Sequence, residues 1–369
     1  MNIAIITTVR HNVGDDFIRE GIKHILRNFY KGTHLHFTHI HKHSPITSRY
    51  GFEWFRDYSK SKQWDEKLPL RRWTPDRILM ADLVVQSGAP IYWCWEHPEA
   101  HCVDNEWYKP LIKRRFQGNK KAKLINLAGG TCQAYYSDGS EFLKSQRDCD
   151  YIKEFFNLST VTTYRDTLSR KVANLLGLDA PVIPCTSIFA ADEHGLKDLG
   201  TDYVVVNYMS GGGHFTMDQE ISFSHWEKEF KKFYSYLKTR ENVIFSCHNQ
   251  KELDEAKALD PQAKTFYSTN YLDYMKLYSK AKFGFMNRIH AAYQLSSYGK
   301  PSIIIGTDTR ALMANEIGLK SMYVEEITGD FLIDEYNFFL KGADNFKERF
   351  AVTKQAAFQS YMDVLSVLK

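Results

Sequence analysis

Residues 1–26 read MNIAIITTVRHNVGDDFIREGIKHIL, and this stretch decides the fold class. Asn2 to Thr8 is a short apolar run rich in β-branched residues, the composition of a strand. A polar turn follows at His11-Asn12-Val13-Gly14-Asp15, after which Phe17, Ile18, Ile22, Ile25 and Leu26 recur at helical spacing. Strand, polar loop and helix in that order open a βαβ unit. The loop then lies at the carboxyl edge of a parallel strand, where ligands of open α/β sheets gather.

The same grammar repeats along the chain. Leu35–Ile40, Ala81–Gln86 and Leu124–Ala128 read as strands, and the last two run into the small-residue turns Ser87-Gly88-Ala89-Pro90 and Gly129-Gly130-Thr131. Val161–Tyr164 is another strand, and Arg165–Leu176 a helix ended by Gly177. A second unit starts at Tyr203–Asn207 and continues through a glycine loop, a helix over Trp226–Lys238 and a strand over Asn242–Cys247. Helix Tyr271–Lys280, strand Phe283–Met286, helix Arg288–Tyr298 and strand Pro301–Gly306 follow, with the polar stretch Ala191–Gly200 as the linker. This predicts an N-terminal α/β domain over residues 1–195, a C-terminal α/β domain over 196–345 and a helix over 346–369 packing back. The fold class is α/β: two Rossmann-like, doubly wound domains facing a cleft, of the glycosyltransferase-B-like kind.

Composition agrees with two domains. The 369 residues are 43% hydrophobic and 25% charged, which excludes disorder, collagen-like repeats and a membrane channel. A net charge of +4 suits an anionic small molecule and falls short of a nucleic-acid-binding signature. The six cysteines form no Cys-x-x-Cys pair, so free thiols in a reducing compartment are expected. The apolar stretch at the start is too short for a signal peptide, and no run of about eighteen apolar residues occurs. A cytoplasmic location is expected. Aromatics are abundant, with 22 Tyr and 24 Phe, which suits sugar stacking, a large core or an oligomer interface.

The densest chemistry lies in FGFMNRIHAAYQLSSYGKPSIII, residues 283–305. Arg288 and His290 sit where a helix begins. A cation there opposes the helix dipole unless an anion occupies the site, since backbone N–H groups, dipole and guanidinium then converge on it. The alternative is an Arg and a His at a domain edge.

Arg288-Ile289-His290-Ala291-Ala292 followed by Gly299-Lys300-Pro301 resembles the signature of the polysaccharide pyruvyl transferase family. Asn12-Val13-Gly14-Asp15-Asp16 is similar to the family's N-terminal Asn-x-Gly-Asp loop, and Arg165-Asp166-x-x-Ser169 to its central element. The resemblance spans residues 2 to about 315. It implies transfer of the pyruvyl group of phosphoenolpyruvate to two hydroxyls of a sugar or glycan, forming a ketal, in surface polysaccharide biosynthesis. Arg288 and Arg165 would bind the donor, His290 would protonate its methylene carbon, and Asp15 would accept the hydroxyl proton, unless Asp15 is a helix N-cap. Phosphoenolpyruvate is then a co-substrate, with no cofactor and no metal site assigned. Cys185 stands where the family pattern has an aspartate, and Gln86–Pro90 replaces a glycine-rich turn.

Further candidate substrate contacts are Asn12, Asp16, His214, His248, Trp93 and Trp95. Gly211-Gly212-Gly213-His214 could wrap a phosphate but lacks the Lys-Ser/Thr of a nucleotide loop. The tryptophans suit a sugar acceptor or core packing equally. Histidines 34, 36, 39, 41 and 43 alternate as on a polar strand face. Expected partners are phosphoenolpyruvate and a sugar, glycan or lipid-linked oligosaccharide, with no nucleic acid, at most peripheral membrane contact, and room for a homo-oligomer. Two alternatives stand beside this: a glycosyltransferase using a nucleotide-sugar donor, and a non-catalytic glycan-binding relative.

Overall fold

The computed structural model describes residues 1–9, 12–45, 49, 76–97, 99–213, 215–217 and 219–369. The opening stretch forms strand β1 (Asn2–Thr7) and helix α1 (Val13–Phe29), as predicted. Asn12, not Asp15, is the N-cap: its side chain accepts the Gly14 N–H at 3.0 Å. In β1, Ile3 and Ile5 join one hydrophobic cluster while Ala4 and Ile6 join another, so both sheet faces are buried. That is the condition of a parallel sheet covered by helices on either side.

The N-terminal sheet continues with β2 (His36–His41), β3 (Leu83–Gln86), β4 (Pro90–Tyr92), β7 (Lys123–Thr131) and β8 (Val161–Tyr164). Its order is β2-β1-β3-β7-β4, with β8 also on β7, and its pairings are parallel. The histidine-rich strand β2 is an edge. Between β4 and β7 a small antiparallel hairpin forms from β5 (Cys94–Trp95) and β6 (Ala100–His101). Helices α2 (Gln146–Leu158) and α3 (Thr167–Leu175) follow β7 and β8.

The second sheet comprises β9 (Tyr203–Val206), β10 (Val243–Ser246), β11 (Thr265–Phe266), β12 (Ala281–Met286), β13 (Ser302–Gly306) and β14 (Lys320–Tyr323). Its order, β11-β10-β9-β12-β13-β14, is all parallel and reads 3-2-1-4-5-6 within the domain, the Rossmann order. Helices α4 (Phe223–Leu237), α5 (Gln250–Leu259), α6 (Tyr271–Ser279) and α7 (Ile289–Ser297) connect these strands. The C-terminal helix predicted over 346–369 is the far part of a longer one, α8 (Gly329–Leu365). Its end reaches the N-terminal domain, where the Tyr361 hydroxyl donates to the Pro184 carbonyl at 2.9 Å. All six cysteines are unpaired.

The two carboxyl edges face each other and are stitched together. Thr309, beyond β13, donates its N–H to the Gln133 carbonyl at 2.9 Å, and its hydroxyl accepts the Gln133 N–H at 3.0 Å.

Candidate active site

A cavity of about 70 Å³ lies between the edges. The N-terminal domain contributes Asn12, Gly14, Asp15, Pro90 and Arg165; the C-terminal domain contributes Gly213, His248, Arg288, His290, Asp308 and Arg310. The chain thus brings Asp15, Arg165, Arg288 and His290 together across more than a hundred residues, with Asn12 and His248 beside them. Three guanidiniums face two carboxylates on its wall, and α1 and α7 both point their N-termini at it. Charge and helix dipoles both favour an anion in such an arrangement.

Arg165 follows β8 and is fully buried. Its Nη1 donates to the Gly88 carbonyl at 2.9 Å and lies 3.4 Å from His290 Nε2. Its Nε and Nη2 have no hydrogen-bond partner among the described residues. A buried guanidinium with unused donors is costly unless a ligand takes them. Gly129 and Gly130, expected in a turn, instead continue β7, and they permit this placement, since a Cβ on Gly130 would collide with the guanidinium. Asp166 caps α3 through the Ser169 N–H at 2.7 Å and accepts the Thr131 N–H at 3.0 Å, so it fixes the segment that carries Arg165.

Arg288 caps α7 without a side-chain cap bond. Glu252, buried at the start of α5, receives its Nε at 2.9 Å and also pairs with its Nη2. His290 is half-buried, with Nδ1 packed against Gly14: a Cβ there would stand 2.5 Å from it. Burial and then the Arg165 charge push its pKa from 6.5 down to about 3, with Asp15 opposing and Arg310 adding to the shift. The sequence expectation of an imidazole titrating near neutrality is therefore corrected: burial and Arg165 favour the neutral ring.

Burial alone would raise the Asp15 carboxyl, but Lys42, the Thr8 hydroxyl, His290 and Arg165 overcome it and bring it to about 2. Thr8 donates to Asp15 at 2.7 Å, and the Lys42 ammonium lies 3.6 Å away. His248 is buried beside the cavity, its Nε2 2.7 Å from the Tyr278 hydroxyl; burial takes its pKa down to about 4.

Other predicted residues fall elsewhere. Asp16 is buried away from the cavity wall, paired with Arg19. His214 lies outside the described residues. Cys185 is fully buried in the core rather than on the cavity wall, so the missing aspartate does not open a gap there. Trp93 and Trp95 line a second, larger cavity next door.

Sequence reasoning missed Arg310 and Glu252. Asp308 grips the Arg310 guanidinium with bonds of 2.8 and 2.6 Å. Burial works against the Arg310 charge, but Asp308 more than compensates, so its pKa rises. The available signal was position: Arg310 lies just past the carboxyl end of β13. Among the described residues, Cys94, His101 and Asp148 hold metal-ligand-type atoms within 4.8 Å of one another, a trio no sequence spacing announces. Asp148 already accepts from the Val103 N–H at 3.1 Å and lies 2.6 Å from His101 Nδ1, which pins the β5–β6 hairpin to α2.

The family model of the polysaccharide pyruvyl transferases matches residues 12–309. No curated protein sequence matches the chain significantly. Among solved structures, the UDP-GlcNAc 2-epimerase from Neisseria meningitidis bound to UDP-GlcNAc is similar, with a TM-score of 0.53 at 10% identity, over 99% of both chains. The UDP-GlcNAc 2-epimerase from Methanocaldococcus jannaschii, in complex with UDP-GlcNAc and UDP, has a TM-score of 0.50 at 12% identity, over 97% of this chain and 100% of that one. These likenesses establish the two-domain, glycosyltransferase-B-like fold. No helix among the described residues is long and apolar enough to cross a membrane.

Proposed function

The chain belongs to the polysaccharide pyruvyl transferase family, and on that premise we propose that it transfers the pyruvyl group of phosphoenolpyruvate to two hydroxyls of a sugar or glycan. The observation that carries this reading is the cavity itself: three arginines and a histidine around a small anion-sized space, with two Arg165 donors unused. Phosphoenolpyruvate offers a carboxylate and a phosphate, each matched by a guanidinium fork. Arg165 and Arg310 bind it from opposite domains, and Glu252 holds Arg288 in place for the same task.

The reaction needs one proton on C3 of the donor and the removal of two from the acceptor. Burial and then the Arg165 charge favour the neutral His290 ring, and the donor's negative charge opposes the Arg165 and Arg310 part of that shift. The ring then takes up a proton and delivers it to C3, leaving an electrophilic C2. The first acceptor oxygen bonds to C2 as its proton passes to Asp15. The second oxygen then bonds to C2 while the C2–O bond to phosphate breaks, and phosphate leaves carrying that electron pair. The protons released balance the one consumed at C3 and the one taken up by the leaving group.

Purified protein incubated with phosphoenolpyruvate and a panel of sugars should release phosphate and yield a sugar bearing a pyruvyl ketal by mass. Arg165→Lys should reduce kcat/KM by roughly 10²-fold or more. Phosphate release that survives His290→Ala at the wild-type rate would remove the acid role. Thermal stabilisation by UDP but not by phosphoenolpyruvate would favour a nucleotide-sugar donor instead.

A further inference from the structure

Beside the donor cavity lies an open groove of about 610 Å³, within the range of about 300–1,000 Å³ typical of small-molecule sites. Trp93, Trp95, Trp107 and Phe215 line it, and the Trp95 and Phe215 rings lie 5.0 Å apart between centroids. Trp107 is packed into the core against Phe155, whereas Trp93 and Trp95 are only half-buried. The Trp95 indole N–H donates to the Cys132 carbonyl at 2.8 Å, which anchors the ring on the groove wall.

Three features join the groove to the donor cavity. Pro90 lines both. Lys42 lines the groove and stands 3.6 Å from Asp15, which lines the cavity. Phe215 lines the groove beneath Arg310, whose guanidinium carbon lies 5.2 Å from the ring centre. A molecule in the groove would therefore meet the donor cavity beside Pro90, Asp15 and Arg310.

We infer that this groove is the acceptor subsite and that it takes the uncharged pyranose end of a glycan, an inference that rests on the donor reading above for the neighbouring cavity. Aromatic faces carry negative charge density and attract the slightly positive C–H face of a sugar ring. The remaining wall supplies donors and acceptors for its hydroxyls. Among the described residues its charged side chains are Lys42 and Arg147 against Glu99, Asp104 and Glu106, with His101 held between Glu99 and Asp148. Asp104 takes up Arg147 at 2.6 Å, and Lys42 is engaged by Asp15. Among the described residues the wall offers a phosphate, pyrophosphate or uronate no cationic pocket, so a charged carrier of the glycan is placed outside the groove.

The test is saturation-transfer NMR on the full chain with the methyl glycosides of galactose, glucose and mannose, against methyl glucuronide and inorganic pyrophosphate. At least one neutral glycoside should receive saturation, and Trp95→Ala and Phe215→Ala should each weaken its binding roughly three- to tenfold. Both variants are checked for folding by thermal melting; Phe215 is exposed, so its truncation removes little core. Absence of transfer to every neutral glycoside, unchanged binding in both variants, or tighter binding of glucuronide or pyrophosphate overturns the inference. Thermal-shift titration with phosphoenolpyruvate runs in parallel. Stabilisation by phosphoenolpyruvate without glycoside binding defeats the groove assignment alone. Trp95-dependent glycoside binding without that stabilisation defeats the donor reading and leaves the groove standing.

Discussion

His290 shows how far a single residue can depart from its reputation. Its ring is neutral because burial and Arg165 disfavour the imidazolium. A bound dianion or trianion reverses the second cause, and linkage makes the effect reciprocal: what raises the His290 pKa must bind tighter as pH falls. Calorimetric titration of phosphoenolpyruvate near pH 6.5, in buffers of different ionisation enthalpy, should therefore show uptake of up to about one proton. His290→Gln should abolish that uptake; equal uptake in the variant would place the proton elsewhere. Gly14 supports the same ring by having no Cβ. Gly14→Ala should displace the imidazole and lower kcat/KM by on the order of 10²-fold, with a much smaller change in melting temperature. Arg165, Arg288 and His290 were legible because each sits in a local motif at the end of a strand. Arg310 and Glu252 were not, because their importance comes from pairing: Glu252 meets Arg288 from a different helix, and no periodicity relates them.

Secondary-structure elements carry these residues to one place through their ends. β1, β8, β12 and β13 are buried strands whose carboxyl ends deliver Asp15, Arg165, His290 and Arg310 to the cavity. These strands were readable because each is a short apolar run that gives way to polar residues at its carboxyl end. The β5–β6 hairpin was not, since two-residue strands carry no period, and its antiparallel pairing depends on contacts with α2 far along the chain. The start of α8 escaped as well: its N-cap, Thr328, precedes a glycine, a poor helix former. At α1 the cap is testable. Asn12→Ala removes the acceptor for the Gly14 N–H and should cost about 1 kcal/mol of stability in denaturant melts. Because α1 also aims its N-terminus at the cavity, the same change should raise the KM for phosphoenolpyruvate several-fold. An unaltered KM beside a lowered stability would confine Asn12 to capping.

At the scale of the whole molecule, building a site from buried ionisable groups makes the fold sensitive to mild acid. His248 is buried, with a pKa near 4 against 6.5 when unfolded. Below pH 6.5 the unfolded chain therefore binds a proton that the folded chain refuses, and stability falls with pH by about 1.4 kcal/mol per unit until the folded pKa is reached. His39 and His290 are depressed in the same direction, while His101, raised mainly by its bond to Asp148, works the other way. Asp15 does not confuse this window. Its folded pKa lies below the unfolded value of 3.8, so its contribution is complete above that pH and is lost only as pH falls towards 2. Denaturant midpoints measured at pH 7 and pH 5 should thus show a drop that His248→Gln reduces. Phosphoenolpyruvate at saturation should reduce it further, since a ligand that lets His290 accept its proton removes that residue's share of the penalty. If the drop from pH 7 to pH 5 is the same in His248→Gln as in the parent, or is insensitive to the donor, the buried histidines are not its source.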